Sequence, residues 1–353
     1  MEWNKRTLRV GSLAILFAML LRLIGSGMFG STLAVFSQPE LASFLIYAES
    51  GRKPDVGDQT MQSLTTEPSS QPTEPSEELS TEPTVTQPPP TQPTEPELPA
   101  VNRVTFTAED VKYFGMTYGC SKRPNVKRLL TRSLDWDLTG DEPTVLIIHT
   151  HGTEAYTKTA STQYQDYGQY RTKDNRYNMV SIGVELTRLL EEGGIKVIHD
   201  QTLYDAGDYV DAYANSRTAV RKHLKNHPSI KMVLDLHRDA AENVDGSQWA
   251  TSATVNGEPS AQLMFVVGTN GNGLNHPYWE TNLSVAEKLN VLLEKNASGV
   301  TRHIFLRGER FNQDLCTGAL IVEVGSAGNT QPQAMNAISV LAEAILELAH
   351  GSE

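Results

Sequence analysis

Cysteine is scarce in this chain: Cys120 and Cys316 are two in 353 residues, with no Cys-x-x-Cys spacing. That excludes a zinc–thiolate site and a thioredoxin-like redox centre. Neither cysteine adjoins a basic residue paired with histidine, and no Gly-x-Ser-x-Gly elbow is present, so cysteine and serine hydrolase chemistry both lack their usual frame. A disulfide between the two cysteines stays open, because sequence cannot place their Cα atoms within the required ~4.4 to 6.8 Å. The glycines of Asn270-Gly-Asn-Gly are too sparse for a phosphate-binding fingerprint; the run reads as a loop, and nothing in its spacing assigns it to a substrate groove. A surplus of cationic residues is missing as well. The net charge of −12 argues against a nucleic-acid partner, which calls for a basic face.

Residues 58–100 contain no Lys or Arg and no aromatic side chain, but eight acidic residues and ten prolines. Such a segment cannot bury enough apolar surface to offset its ordering entropy, so it is expected to be a disordered, extended linker. Its upper reach is ~130 Å at about 3.1 Å per residue. Charge is also nearly absent from Val10 to Phe36, where Arg22 stands alone in 27 residues behind basic Lys5, Arg6 and Arg9. A central Arg costs roughly 2.5 to 3.5 kcal/mol, while thirteen Val, Leu, Ile or Phe residues return roughly 0.3 to 0.6 kcal/mol each. The balance predicts a transmembrane helix, with the cytoplasmic tip and span in residues 1–36 and the rest of the chain outside the cytoplasm. A cleaved signal peptide is the competing reading, although its apolar region is usually only about 7 to 15 residues. Residues 37–57 form a mixed juxtamembrane segment.

Residues 101–353 alternate strand and helix signals. Apolar runs of strand length are 145–148, 197–198, 232–236, 263–267, 303–306 and 320–324; amphipathic helical patterns fall at 180–190, 212–224, 283–293 and 334–348. Short apolar strands alternating with helices predict an α/β domain with a mainly parallel sheet covered by helices on both faces. Ligands of such sheets sit beyond the carboxyl ends of the strands.

Those ends are chemically loaded. His149-Thr-His151-Gly-Thr-Glu154 follows the first run, His237-Arg238-Asp239 follows Met232–Leu236, and Glu323-Val-Gly325 lies within the last. Two imidazoles and a carboxylate form the His2Glu set of a catalytic Zn2+ with an open position for water. A further carboxylate must move the water's proton to the leaving amine, and Glu323 suits that catalytic role. Arg238 and Asp239 either bind a substrate carboxylate, orient a ligand, or form a solvated ion pair. In an extended His-x-His both rings share a face, so either His149 or His151 is a candidate ligand unless a turn at Thr150–Gly152 breaks the alternation.

His149-Thr-His-Gly-Thr-Glu-Ala-Tyr, Asp235-Leu-His-Arg-Asp-Ala and Val322-Glu-Val-Gly-Ser-Ala-Gly-Asn, after a membrane span and a Pro/Thr-rich tether, resemble the stage II sporulation protein P family. That family is similar to zinc-dependent N-acetylmuramoyl-L-alanine amidases, in which a Gly-His-Gly turn, a Leu-His pair and a Val-Glu-x-Gly strand carry the site. The resemblance implies metal ligands His151 and His237, with His149 as the alternative, and Glu323 as the general base. The amidases take their middle ligand from a glutamate at the first helix start, where this chain has Arg176-Tyr-Asn178. Glu154 is the replacement the sequence offers, and the third ligand stays open. The implied function is a membrane-anchored peptidoglycan amidase, with endopeptidase cutting as a second activity, in the engulfment stage of sporulation. Its implied partners are a sporulation lytic transglycosylase and a multispan membrane anchor protein. The competing class is a non-catalytic peptidoglycan-binding module that keeps the fold without the metal.

Overall fold

Val145–Ile148 is buried at all four positions, the pattern of a strand covered on both faces rather than one. It is one of seven strands in the central sheet. The computed structural model describes residues 104–351 apart from 135–136, 208 and 241–246. The expected transmembrane helix, juxtamembrane segment and linker lie outside the described residues; among those described, no helix is long and apolar enough to cross a membrane.

The elements run β1 (Met116–Tyr118), α1 (Val126–Leu130), β2 (Val145–Ile148), α2 (Met179–Glu192), β3 (Val197–His199), α3 (Ala212–Asn226), β4 (Met232–Asp239), β5 (Ala253–Val255), β6 (Glu258–Ser260), β7 (Leu263–Gly268), α4 (Trp279–Asn296), β8 (Ile304–Arg307), β9 (Ala319–Ser326) and α5 (Gln331–His350). β5 and β6 form a separate hairpin, turned by Asn256 and Gly257, both at positive φ, as a two-residue turn requires. Helix ends follow local chemistry. The Asn178 side chain accepts from Val180 N at the start of α2, and Gly194 at φ +88° turns the chain after its end. α5 opens on a Thr330–Gln333 capping box with proline in its first turn.

The order of the large sheet is β1-β8-β7-β9-β4-β2-β3. The expectation of a mainly parallel sheet holds within each of two blocks, but β7 runs antiparallel to β9, so β1, β8 and β7 point opposite to β9, β4, β2 and β3. The carboxyl ends of β2, β4 and β9 therefore share one pole, and those of β7 and β8 lie at the other. The loop 270–277 after β7 is at the far pole from the histidines and does not border their groove.

Helix cover is uneven. α2, α4 and α5 bury one face in a large core that includes Ile182, Leu289, Leu341 and Ile345. On the opposite face α3 covers the β2–β4 region through Val220 and Leu224. Phe305 and Phe311 cover the part around Met264, Val266 and Ile321. Cys120 and Cys316 are both free, so the disulfide left open by the sequence is not formed.

Candidate functional site

Beyond β2 the chain bends through a turn at 150–153, and Glu154 N donates to His151 O at 3.1 Å. The turn breaks the two-residue alternation, so the two histidines part. His149 is fully buried, with its Nε2 2.8 Å from Nε2 of His199. A Cβ on Gly183 of α2 would come within 2.6 Å of the His149 ring, so only glycine lets the helix pack there. The alternative ligand is thus partnered with His199, under α2. His151 lies past the bend, its ring stacked on Tyr209 at 4.2 Å, edge-on to Tyr213 at 5.6 Å and to His237 at 5.4 Å.

His237 sits on β4 two residues after Asp235, which puts both side chains on one face. Its Nε2 is 3.1 Å from Asp235 Oδ1 and its Nδ1 is 3.4 Å from Glu154 Oε2. Asp235 is fixed in turn by Thr150, whose N and Oγ1 donate to it at 2.7 and 2.5 Å. The Glu154 carboxylate also meets Arg171 Nη2 at 3.2 Å, Arg238 Nη1 at 3.7 Å and the Arg238 backbone N at 3.2 Å. Glu323 of β9 pairs in register with His237 across the parallel ladder. His151, Glu154 and His237 are thereby brought together, with Glu323 on the strand beside them.

The electrostatics follow from burial among these charges. Burial alone would raise the Glu154 carboxyl, but Arg238, His237 and Arg171 outweigh it and hold the group well below the usual carboxylate range. Burial opposes the charge on His237, yet Asp235 and Glu154 push its pKa well above the ordinary imidazole value. At His151 burial, with His237 and Arg171, outweighs the nearby Glu154 and Asp235 carboxylates and pulls the ring down to about 4, leaving it neutral with a lone pair to offer. Burial pushes Glu323 up to about 8, with Glu154 and Asp239 adding to it and His237 and Arg238 opposing.

Three ligating atoms of the cluster, His151 Nδ1, His237 Nε2 and Glu323 Oε2, are buried without a hydrogen-bond partner. Two imidazoles and a carboxylate, with Asp235 as an outer carboxylate on one ring, are the donor chemistry of a zinc-type site, and the residues present fit such an ion. Among the described residues, however, no three His, Cys, Asp or Glu side chains are already closed into a metal-binding group. Glu154 is turned to two guanidinium groups, and His237 bridges two carboxylates.

The remaining candidates are placed differently. Arg238 is buried; its Nε donates to Ala155 O at 3.1 Å and its Nη2 to Gln169 O at 2.8 Å, so it ties the 154–171 segment down rather than facing solvent. Asp239 pairs with Arg302 at 2.7 Å on the rim. At the start of α2, exposed Arg176 pairs with half-buried Asp174, and Asn178 is spent on the cap. No acid reaches the cluster from there.

Sequence reasoning missed several groups. Asp235 had a signal, its i, i+2 spacing from His237. Arg171, which bridges Glu154 and Asp205 Oδ2 at 2.9 Å, and Tyr209 had none, because the fold brings them in from separate loops.

A family model described as Stage II sporulation protein P (SpoIIP) matches residues 35–346. Stage II sporulation protein P of Bacillus subtilis (strain 168) is 28% identical over 221 residues, or 60% of this chain and 52% of the relative. The chain thus spans about half the length of that curated relative. Among solved structures, the N-acetylmuramoyl-L-alanine amidase AmiC2 of Nostoc punctiforme is 16% identical with a TM-score of 0.33, covering 60% of this chain and 97% of its own. The CwlD amidase from Clostridioides difficile, in complex with the GerS lipoprotein, is 12% identical with a TM-score of 0.35, covering 59% and 98%.

Proposed function

Because the chain belongs to the stage II sporulation protein P family, we propose that it is a peptidoglycan hydrolase of sporulating cells, cutting the amide bond between N-acetylmuramic acid and the stem peptide during engulfment. The observation that carries this reading is the convergence of His151, Glu154 and His237 beside Glu323 at one pole of the sheet, with buried donor atoms left unpaired. His151, Glu154 and His237 would hold a zinc ion, which when bound supplies Lewis-acid polarisation of the scissile carbonyl and acidifies the attacking water. Glu323 takes the proton of the attacking water and delivers it to the departing amide nitrogen, a transfer its half-buried, weakly acidic carboxyl suits. Asp235 holds the His237 ring in place, and Arg171 holds Glu154.

A second reading, a peptidoglycan-binding module without catalysis, is favoured by one observation: the Glu154 carboxylate is engaged by Arg171 and Arg238. Metal analysis and sacculus digestion with the full-length chain separate the two. One zinc per chain and chelator-sensitive release of stem peptides are expected. Sacculus binding with neither zinc nor release would establish the second reading, and cross-linked peptides cut without amide release would make the enzyme an endopeptidase.

In the same reading residues 1–36 anchor the protein, 58–100 tether it, and 101–353 work outside the membrane beside a lytic transglycosylase and a multispan anchor protein. The chain should resist alkaline carbonate extraction, and protease added to intact protoplasts should remove the region beyond residue 100. A fully protected chain would reverse the orientation.

A further inference from the structure

Lysine is almost never buried without a carboxylate partner, since taking an ammonium out of water is costly. Lys288, in the middle of α4, is 4% exposed, and no carboxylate forms an ion pair with it among the described residues. Its neighbour Glu287 interacts with it electrostatically but makes no ion pair: both Glu287 oxygens are buried without hydrogen-bond partners, and burial pushes that carboxyl up to about 9 against the pull of Lys288. Burial lowers Lys288 only to about 8, so the ammonium remains charged at neutral pH. An ammonium has three donors. One goes to Leu130 O, at the end of α1, and the Phe106 ring lies 4.8 Å from Nζ.

The ammonium lines a cavity of about 260 Å³ between α1, α4 and the end of α5. Phe106, Leu130, Leu138 and Leu348 give it apolar walls, and Arg132 and Ser133 stand on its exposed rim. Asp137, the one acidic residue among the described lining residues, is also on the exposed rim, where Thr139 donates to it from N at 2.8 Å and from Oγ1 at 2.6 Å. A cavity with these apolar walls, a buried cation inside and the opposite charges of Arg132 and Asp137 at its mouth is complementary to one kind of molecule. The anionic head must be single and compact, because one ammonium receives it, and the body must be apolar.

We propose that this cavity is a binding site for a small monocarboxylate with an apolar tail, its carboxylate on Lys288 and its tail against Phe106 and Leu138. The proposal stands apart from the hydrolase reading, because none of the lining residues belongs to the histidine cluster.

The probe is octanoate, with octan-1-ol as its uncharged counterpart, titrated calorimetrically into the full-length chain. One octanoate per chain is expected, bound at least tenfold more tightly than octanol. Lys288→Met, which keeps the buried stem and removes the charge, should bring octanoate down to the level of octanol. Arg132→Gln, on the exposed rim where folding is not at stake, should weaken octanoate several-fold and leave octanol unchanged. Equal affinity for the two probes in the unaltered chain overturns the proposal. So does undiminished octanoate binding in Arg132→Gln together with Lys288→Met, or in Arg132→Gln alone if the lysine variant does not fold.

Discussion

Replacing His237 by alanine is expected to empty the zinc site and abolish amide cleavage in one step. Two protein ligands are too few to hold an open catalytic metal, and the several kcal/mol of transition-state stabilisation lost with it correspond to at least about 10³-fold in rate. The same change has a structural cost that the other histidine does not share. His237 lies between the buried carboxylates of Asp235 and Glu154, and removing one partner from such a buried set costs about 3 to 5 kcal/mol. For a domain of this size that is roughly 6 to 20 °C in Tm. His151 is neutral and packed on Tyr209, so His151→Ala should lose zinc and activity with a smaller fall in Tm. Metal content, melting and muropeptide release measured on both variants check this. Full zinc occupancy and turnover in either one would refute the ligand assignment.

Glu323→Gln is expected to give a different signature: zinc retained, sacculus binding retained, and turnover down by roughly 10² to 10⁴. The amide keeps the size and polarity of the acid and cannot accept the proton. Because one Glu323 oxygen has no hydrogen-bond partner, the substitution breaks no bond there, and Tm should hold. Loss of zinc in this variant would make Glu323 a ligand, and retained activity with retained zinc would remove it from the proton path.

The elements most legible in the sequence are those decided by local pattern. The run 145–148 is β2 at the same bounds, and the helical pattern 180–190 lies inside α2, whose start is set by the Asn178 cap and whose end is set by Gly193-Gly194. β1 was missed because three residues, half-buried Met116 followed by exposed Thr117 and Tyr118, carry no period. The β5–β6 hairpin was missed although Asn256-Gly257 is a strong turn signal, because its strands are three residues each. Strand direction was not legible at all. Apolar runs look the same forward and backward, and the inversion at β7 depends on which edge the chain joins.

Within the candidate site, His151, His237 and Glu323 were readable because each sits at or near a strand end, in a short motif. Which histidine of His-x-His faces the cluster depended on a turn that residue types alone do not impose. The ring of charges around Glu154 was not readable, because Arg171 and Arg238 reach it from different segments.

The opposed directions of the two sheet blocks also shape how the fold can vary. In a uniformly parallel sheet the loops that can lengthen harmlessly all lie at one end. Here that map is reflected across the β7–β9 boundary. Around β2, β4 and β9 the segments leading into the strands are remote from the chemistry, whereas around β7 and β8 it is the segments leaving them. The stretch entering β8 carries Arg302 to the reactive rim, where it meets Asp239, while the loop leaving β7 exposes Leu274 at the far pole. Insertions after β7 can therefore accumulate without reaching the cluster, and the short entries to β7 and β8 are the places where changes of length would alter what the rim admits.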